Sequence, residues 1–189
     1  MNLQLPLTES QNAFLRQVER GCGHNLALCY QCGKCTAGCP IAFEMDYPPH
    51  QIIRGVQFGR RDEVLSSRTI WLCAACETCS TRCPQEVDPA GIMDALRRIA
   101  YAEGVRSPER DVPLFHTIFL GSIRYFGRIF EVGMLGLYNL LSGHLTKDLL
   151  LAPKMLLKGK IGLLPPWNKE IQGVKEMFDR AKELEEELE

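Results

Sequence analysis

Cys29-Tyr30-Gln31-Cys32-Gly33-Lys34-Cys35-Thr36-Ala37-Gly38-Cys39-Pro40 decides how this chain folds, because its cysteine spacing returns 44 residues later as Cys73-Ala74-Ala75-Cys76-Glu77-Thr78-Cys79-Ser80-Thr81-Arg82-Cys83-Pro84. The two stretches hold eight of the nine cysteines. A C-x2-C-x2-C loop wraps three sulfurs around one face of a cubane iron-sulfur cluster, and the fourth thiolate must come from elsewhere in the chain. The repeated pattern therefore predicts two [4Fe-4S] clusters.

In two-cluster ferredoxins the cysteine before the proline ligates the other cluster, so the two motifs interlock. That rule assigns Cys29, Cys32, Cys35 and Cys83 to one cluster and Cys73, Cys76, Cys79 and Cys39 to the other. Zinc and disulfides predict different patterns. Structural zinc draws on well-separated cysteine pairs, not on three cysteines at every third position followed by Cys-Pro. A disulfide framework belongs to short secreted chains, and the N-terminal residues do not read as a charged-then-apolar leader.

At 189 residues and 46% hydrophobic content, the chain is expected to form one or two domains with a core of ordinary size. It is more than a minimal ferredoxin, since 32 residues separate Pro40 from Cys73 and 105 follow Pro84. With 22 basic and 23 acidic residues the net charge is -1, which offers no field to attract nucleic acid or an acidic membrane surface. Cysteines that must stay reduced until metal arrives favour a cytoplasmic location. The longest apolar candidate for a membrane span, between Glu131 and Lys147, has 15 residues and includes Asn139, Ser142 and His144, too short and too polar to cross.

Helical signals surround both motifs. Thr8 and Gln11 form a capping-box pattern ahead of Phe14, Leu15 and Val18, with Gly21 and Gly23 expected to end that helix. Ile52, Ile53 and Val56 repeat at helical spacing after Pro48-Pro49, and a second short pattern runs from Arg61 through Val64 and Leu65. Asp88 and Pro89 suit the N-cap and first position of a helix that carries Ile92, Leu96 and Ile99 as far as Gly104. No alternating strand pattern lies between the motifs. The fold class is thus mainly α: an α-helical ferredoxin domain over residues 1–106, and a helical C-terminal extension over residues 107–189 that docks partners.

Ser107 to Pro113 reads as the linker between the two. From Leu114 to Leu164, apolar patches broken by Gly133, Gly136, Gly143, Pro153 and Gly159 read either as short helices lying on a partner or as part of the chain's own core. A terminal helix capped by Asn168 would carry Ile171, Val174, Phe178 and Ala181 on one side and end in a solvated acidic run.

Around the cysteines, Gly33, Thr36, Ala37, Gly38, Ala74, Ala75, Thr78 and Ser80 are small enough to let backbone N–H groups approach the sulfurs. Lys34 and Arg82 add positive charge within the loops or act as ordinary solvated cations. Tyr30 and Trp71 stand near the first cysteine of each motif, where packing is the commoner role of an aromatic ring and shielding of a cluster the alternative. Cys22 reads as a bystander. His24, His50, His116 and His144 are scattered without metal-ligand spacing, and no nucleotide loop, catalytic nucleophile or flavin fingerprint occurs.

Ile70-Trp71-Leu72-Cys73 leading into the second motif, and Leu151-Ala152-Pro153-Lys154-Met155-Leu156 running to Gly159-Lys160-Ile161, resemble the C subunit of heterodisulfide reductase. That resemblance implies an electron relay from the A subunit, which carries flavin and iron-sulfur centres, to the B subunit, which cleaves the disulfide of coenzyme M and coenzyme B in methanogenesis. In the soluble form of that complex the flavin site bifurcates electrons, and a hydrogenase or formate dehydrogenase feeds it. The CCG motifs of the cleaving subunit are missing here, so the substrate site would lie on another chain and this one would only transfer electrons. The runner-up is an iron-sulfur relay of a related or quinone-linked membrane oxidoreductase with a different acceptor. Structural clusters in a nucleic-acid enzyme are a third reading, disfavoured by the absence of a basic stripe.

Overall fold

Thr8 starts the first helix. Its backbone N–H donates to Gln11 Oε1 (2.8 Å) while the Gln11 N–H donates to Thr8 Oγ1 (3.4 Å), the reciprocal cap expected from the sequence. The computed structural model describes residues 8–144, 162 and 171–188, with side chains as far as 184, and among them every regular element is helical. Two units divide the chain, Met1–Arg110 and Asp111–Glu189.

The first unit contains α1 (Glu9–Cys22), α2 (Lys34–Ala37), α3 (Pro49–Gln57), α4 (Arg61–Leu65), α5 (Thr69–Leu72), α6 (Thr78–Thr81) and α7 (Pro89–Ala102). Asp88 caps α7 through the Gly91 N–H (3.0 Å), and Pro89 occupies the first turn, where its missing donor costs nothing. α7 is the hub, packing against α1, α3, α4, α5 and α6. Ile92, Met93, Ala95, Leu96 and Ala100 on α7 are buried, as are Phe14 and Val18 of α1, Ile52, Ile53 and Val56 of α3, and Ile70 and Trp71 of α5.

Burying one such aliphatic side chain is worth about 1.5–3 kcal/mol, whereas a surface ion pair contributes about 0–1 kcal/mol. Arg61 bonds Gln17 (3.1 Å) and pairs with Glu103, but both members of that pair are about one-third exposed. The apolar seam therefore holds the unit, and the ion pair adds register.

Several local expectations need correction. α1 does not stop at Gly21: it continues to Cys22, and the left-handed residue that ends it is Gly23 (φ 72°). Gly21 lies where α1 and α7 approach, and a Cβ there would sit 3.1 Å from that of Ala95. The one-turn helices α2, α5 and α6 are too short to carry a periodic signal, and the sequence does not announce them.

The second unit contains α8 (Asp111–Phe126), α9 (Glu131–Ser142) and α10 (Ile171–Leu188), with α8 packed against α9 and α10. Pro113 falls in the first turn of α8 and not in a linker. Gly133 and Gly136 lie inside α9 and do not break it, and at Gly133 an added Cβ would run into the Phe130 ring. Phe115 meets Tyr138 edge-on (centroids 5.8 Å apart), and Arg124 pairs with Asp179 at 2.8 Å. Yet only Ile118 and Ser122 are buried in α8 and none in α9, while Leu137, Leu140, Leu141 and Met177 are exposed. Ile171, Val174 and Phe178 share the half-buried side of α10. Leu151–Ile161 and the Asn168 cap lie outside the described residues. No helix among the described residues is long and apolar enough to cross a membrane.

Asp46 holds α5 in place. Its carboxylate accepts from the backbone N–H of Arg68 (2.8 Å), Thr69 (3.0 Å) and Tyr47 (2.9 Å) and from the Thr69 hydroxyl (2.6 Å). Partial burial pushes its pKa up, but these hydrogen bonds outweigh that and hold it below the ordinary 3.8. A carboxylate with a depressed folded pKa stabilises fully above the unfolded value and loses its effect as pH falls through the folded one. Asp46→Asn is expected to lower the urea midpoint at pH 7, with the gap to wild type closing as pH is taken below 3.8. An equal gap at pH 7 and about pH 3 would refute the role.

Candidate metal centre

Both motifs begin with the same backbone pattern. Gln31 (φ 65°) and Gly33 (φ 77°) are left-handed in the first, and Ala75 (φ 47°) and Glu77 (φ 59°) occupy the matching positions in the second. Where left-handed residues alternate with right-handed ones, successive N–H groups turn toward one concave side, a nest suited to anions and iron-sulfur groups, and the two loops share the left-handed half of that pattern. Each nest leads into a single helical turn, α2 or α6, and these two turns pack together. Residues 44 apart in sequence are thereby brought side by side.

Around the second motif, Cys73, Cys76 and Cys79 line one cavity together with Cys39 of the first. Pro40, Ile41, Met45, Pro49, Ala90 and Met93 complete most of its wall, and no charged residue lines it. Around the first motif the relations are pairwise. Cys29 lies within electrostatic reach of Cys35, and partial desolvation followed by the neighbouring sulfurs of Cys32 and Cys83 pushes the Tyr30 phenol up. Cys83 thus sits beside the first motif as Cys39 sits within the second.

No cysteine is in a disulfide. Among the described residues, no three His, Cys, Asp or Glu side chains converge as the ligands of a single ion would. Four soft thiols that share a cavity wall without meeting at a point suit a polynuclear sulfur-bridged group better than zinc. Two buried donors adjoining the second motif, Trp71 Nε1 and Arg97 Nε, have no acceptor among the described residues. A sulfur-rich group at Cys73 would offer acceptors there, so the residues fit such a cofactor.

The thiols are not uniform. Burial pushes Cys35 and Cys73 up and takes Cys79 to about 11, so loading these positions with metal must displace protons. Cys76 is lowered, chiefly by the Thr78 hydroxyl 3.4 Å from its sulfur. Cys32 and Cys76, the middle cysteine of each motif, are exposed, whereas Cys35 is buried. Cys22 takes no part in the cavity: its thiol donates to the carbonyls of Glu19 (3.7 Å) and His24 (3.8 Å), and burial raises its pKa.

Sequence reasoning missed the residues that brace the loops from a distance. Gln57 on α3 donates to the Leu26 (2.7 Å) and Cys29 (3.0 Å) carbonyls. His50 Nδ1 bonds the Thr36 hydroxyl at 2.7 Å, tying α2 to α3. Arg97 on α7 donates from Nη2 to the Cys73 carbonyl at 3.3 Å. Glutamine and arginine on helix faces carry no sequence signal for such contacts. Lys34 and Arg82 are exposed, and Arg82 lies over Gly38 of the other motif, where an added Cβ would come within 2.9 Å of its guanidinium. Trp71 is buried and Tyr30 is 60% exposed.

Residues 25–87 match the family of 4Fe-4S dicluster domains. Over 95 residues the chain is 35% identical to the C subunit of the H2:CoB-CoM heterodisulfide,ferredoxin reductase of Methanothermobacter marburgensis, covering 50% of this chain and 51% of that protein. Over 78 residues it is 46% identical to the C subunit of the ferredoxin:CoB-CoM heterodisulfide reductase of Methanosarcina acetivorans, covering 41% and 31%. A protein of Archaeoglobus profundus, named as like the C subunit of heterodisulfide reductase, is 33% identical over 97 residues, covering 51% and 52%. The chain spans about half the length, or less, of these curated relatives.

The matched nests differ in one respect that stability can read. Gly33 adopts its left-handed conformation without strain, whereas Glu77 holds the equivalent one at a cost of about 1–2 kcal/mol. Gly33→Ala is expected to destabilise the cluster-loaded protein by about 1 kcal/mol and Glu77→Gly to be neutral or stabilising. Thermal or chemical denaturation of the two variants, compared with wild type, checks the opposite signs.

Proposed function

We propose that this chain is an electron-relay subunit of a heterodisulfide-reductase-type complex. It would hold two [4Fe-4S] clusters, one at Cys29, Cys32, Cys35 and Cys83 and the other at Cys73, Cys76, Cys79 and Cys39. The observation that carries the reading is Cys39 among the three thiols of the opposite motif in one uncharged cavity. The dicluster match over residues 25–87 and the names of the relatives support it independently.

When bound, such a cluster takes up and returns one electron at a time while keeping its ligands. The chain's own residues fit that task. Eight thiols in two sets supply the ligands, Ile41, Met45 and Met93 give the second cavity an apolar wall, and the nests would aim N–H groups at developing negative charge. The partners in this reading are the flavin- and iron-sulfur-carrying A subunit, fed by hydrogenase or formate dehydrogenase, and the CCG-motif B subunit, which reduces the coenzyme M–coenzyme B disulfide. Nine unpaired thiols accord with a reducing, cytoplasmic setting. An acceptor other than that disulfide is the second reading, favoured by the relative whose name claims only likeness to this kind of subunit.

Crosswise ligation has a direct test. Cys39→Ser and Cys83→Ser should each reduce iron from about eight to about four atoms per chain under anoxia. Cys39→Ser should perturb the spectrum of the cluster at the second motif and Cys83→Ser that of the first. Loss of the cluster belonging to the mutated motif itself would overturn the assignment. Anoxic affinity purification with mass spectrometry tests the relay: a CCG-motif protein and a flavoprotein should co-purify, and a quinone-reactive membrane protein in their place would reject it.

A further inference from the structure

α7 brings one cation to the backbone of Cys73, behind the uncharged lining of the second cavity, in a setting unlike that of the cations in the loops. Arg97 is half-buried, donates from Nη2 to the Cys73 carbonyl at 3.3 Å, and has a buried Nε with no acceptor. Five other arginines, at 60, 61, 68, 98 and 124, each pair with a carboxylate. Arg97 pairs with none among the described residues, so its charge is not neutralised locally. Lys34 and Arg82 are exposed, and water and salt screen them. A partly buried, unpaired charge acts at lower effective dielectric and over a longer range.

We infer that Arg97 raises the reduction potential of the cluster at Cys39, Cys73, Cys76 and Cys79 above that of its neighbour. The inference rests on the two-cluster reading. Gaining one electron makes a cluster one unit more negative, and a fixed positive charge beside Cys73 stabilises that reduced form more than the oxidised one. The buried, unpartnered Nε is a further donor of the same guanidinium, and donated toward the cluster it would act in the same direction. The cations at the first motif, Lys34 and the Arg82 that lies over Gly38, are both exposed, so the two sites differ although their backbones repeat. Such a difference in potential gives an electron a preferred resting place at the second site.

The experiment is a dithionite titration of the full-length, cluster-loaded protein, followed by electron paramagnetic resonance, with iron counted first. Fewer than about eight iron atoms in the wild type would defeat the two-cluster reading itself. With both clusters present, Arg97→Met, which keeps the apolar stem and removes charge and donors, should shift one midpoint only. The expected fall is at least about tenfold in the reduction equilibrium constant, or about 59 mV for a one-electron couple. Arg97→Lys should restore most of it. Arg97→Gln replaces Arg97→Met if the latter loses iron. Unmoved midpoints, equal movement of both, or an Arg97→Lys shift as large as that of the neutral variant would overturn the inference. So would loss of iron from both neutral variants with retention in Arg97→Lys, which would make Arg97 a structural brace.

Discussion

Everything in the first unit follows from the need to bring thiols from two distant motifs to one cavity wall. A one-turn helix cannot hold itself together in water, because nucleation fixes several residues for a single hydrogen bond. α2 and α6 exist because the nests before them set their start and because each packs against the other and against longer helices. α3, α5 and α7 form the frame: Gln57 and His50 reach the first loop from α3, Asp46 pins α5 just before Cys73, and Arg97 reaches Cys73 from α7. The apolar seam on α7 supplies the stability that the small, strained loops do not.

The second unit follows a different balance. Its helices are long enough to be regular, but they bury little of their apolar surface, with Leu137, Leu140 and Leu141 of α9 exposed. A helix apolar on most sides is ordinarily an interior helix of some assembly. Phe115, Tyr138 and Ile118 serve the unit's own packing, whereas Leu137, Leu140 and Leu141 of α9 are exposed.

Much of this is legible in the chain because it depends on local chemistry. Thr8 with Gln11, and Asp88 with Pro89, announce helix starts through the donors they satisfy or lack. The cysteine spacing announces its own chemistry. Gly21 and Gly133 mislead because a glycine signals either a chain break or a close approach, and only the neighbour, Ala95 or Phe130, distinguishes them. α5 is invisible because Asp46, 23 residues away from Thr69, makes its cap, and Arg97 because its contact spans 24 residues. Interactions of that range leave no period in the sequence.

The place of Cys39 has a consequence for how the protein is born. A nascent chain that has emerged only as far as α3 carries one motif, and its fourth cysteine is turned toward a cavity whose other three sulfurs have yet to be synthesised. In the proposed assignment the first motif in turn lacks Cys83. On the crosswise assignment proposed above, the set that includes Cys39 is complete only once Cys79 has left the ribosome and the other only once Cys83 has, so metal acquisition would follow synthesis of the second motif for both.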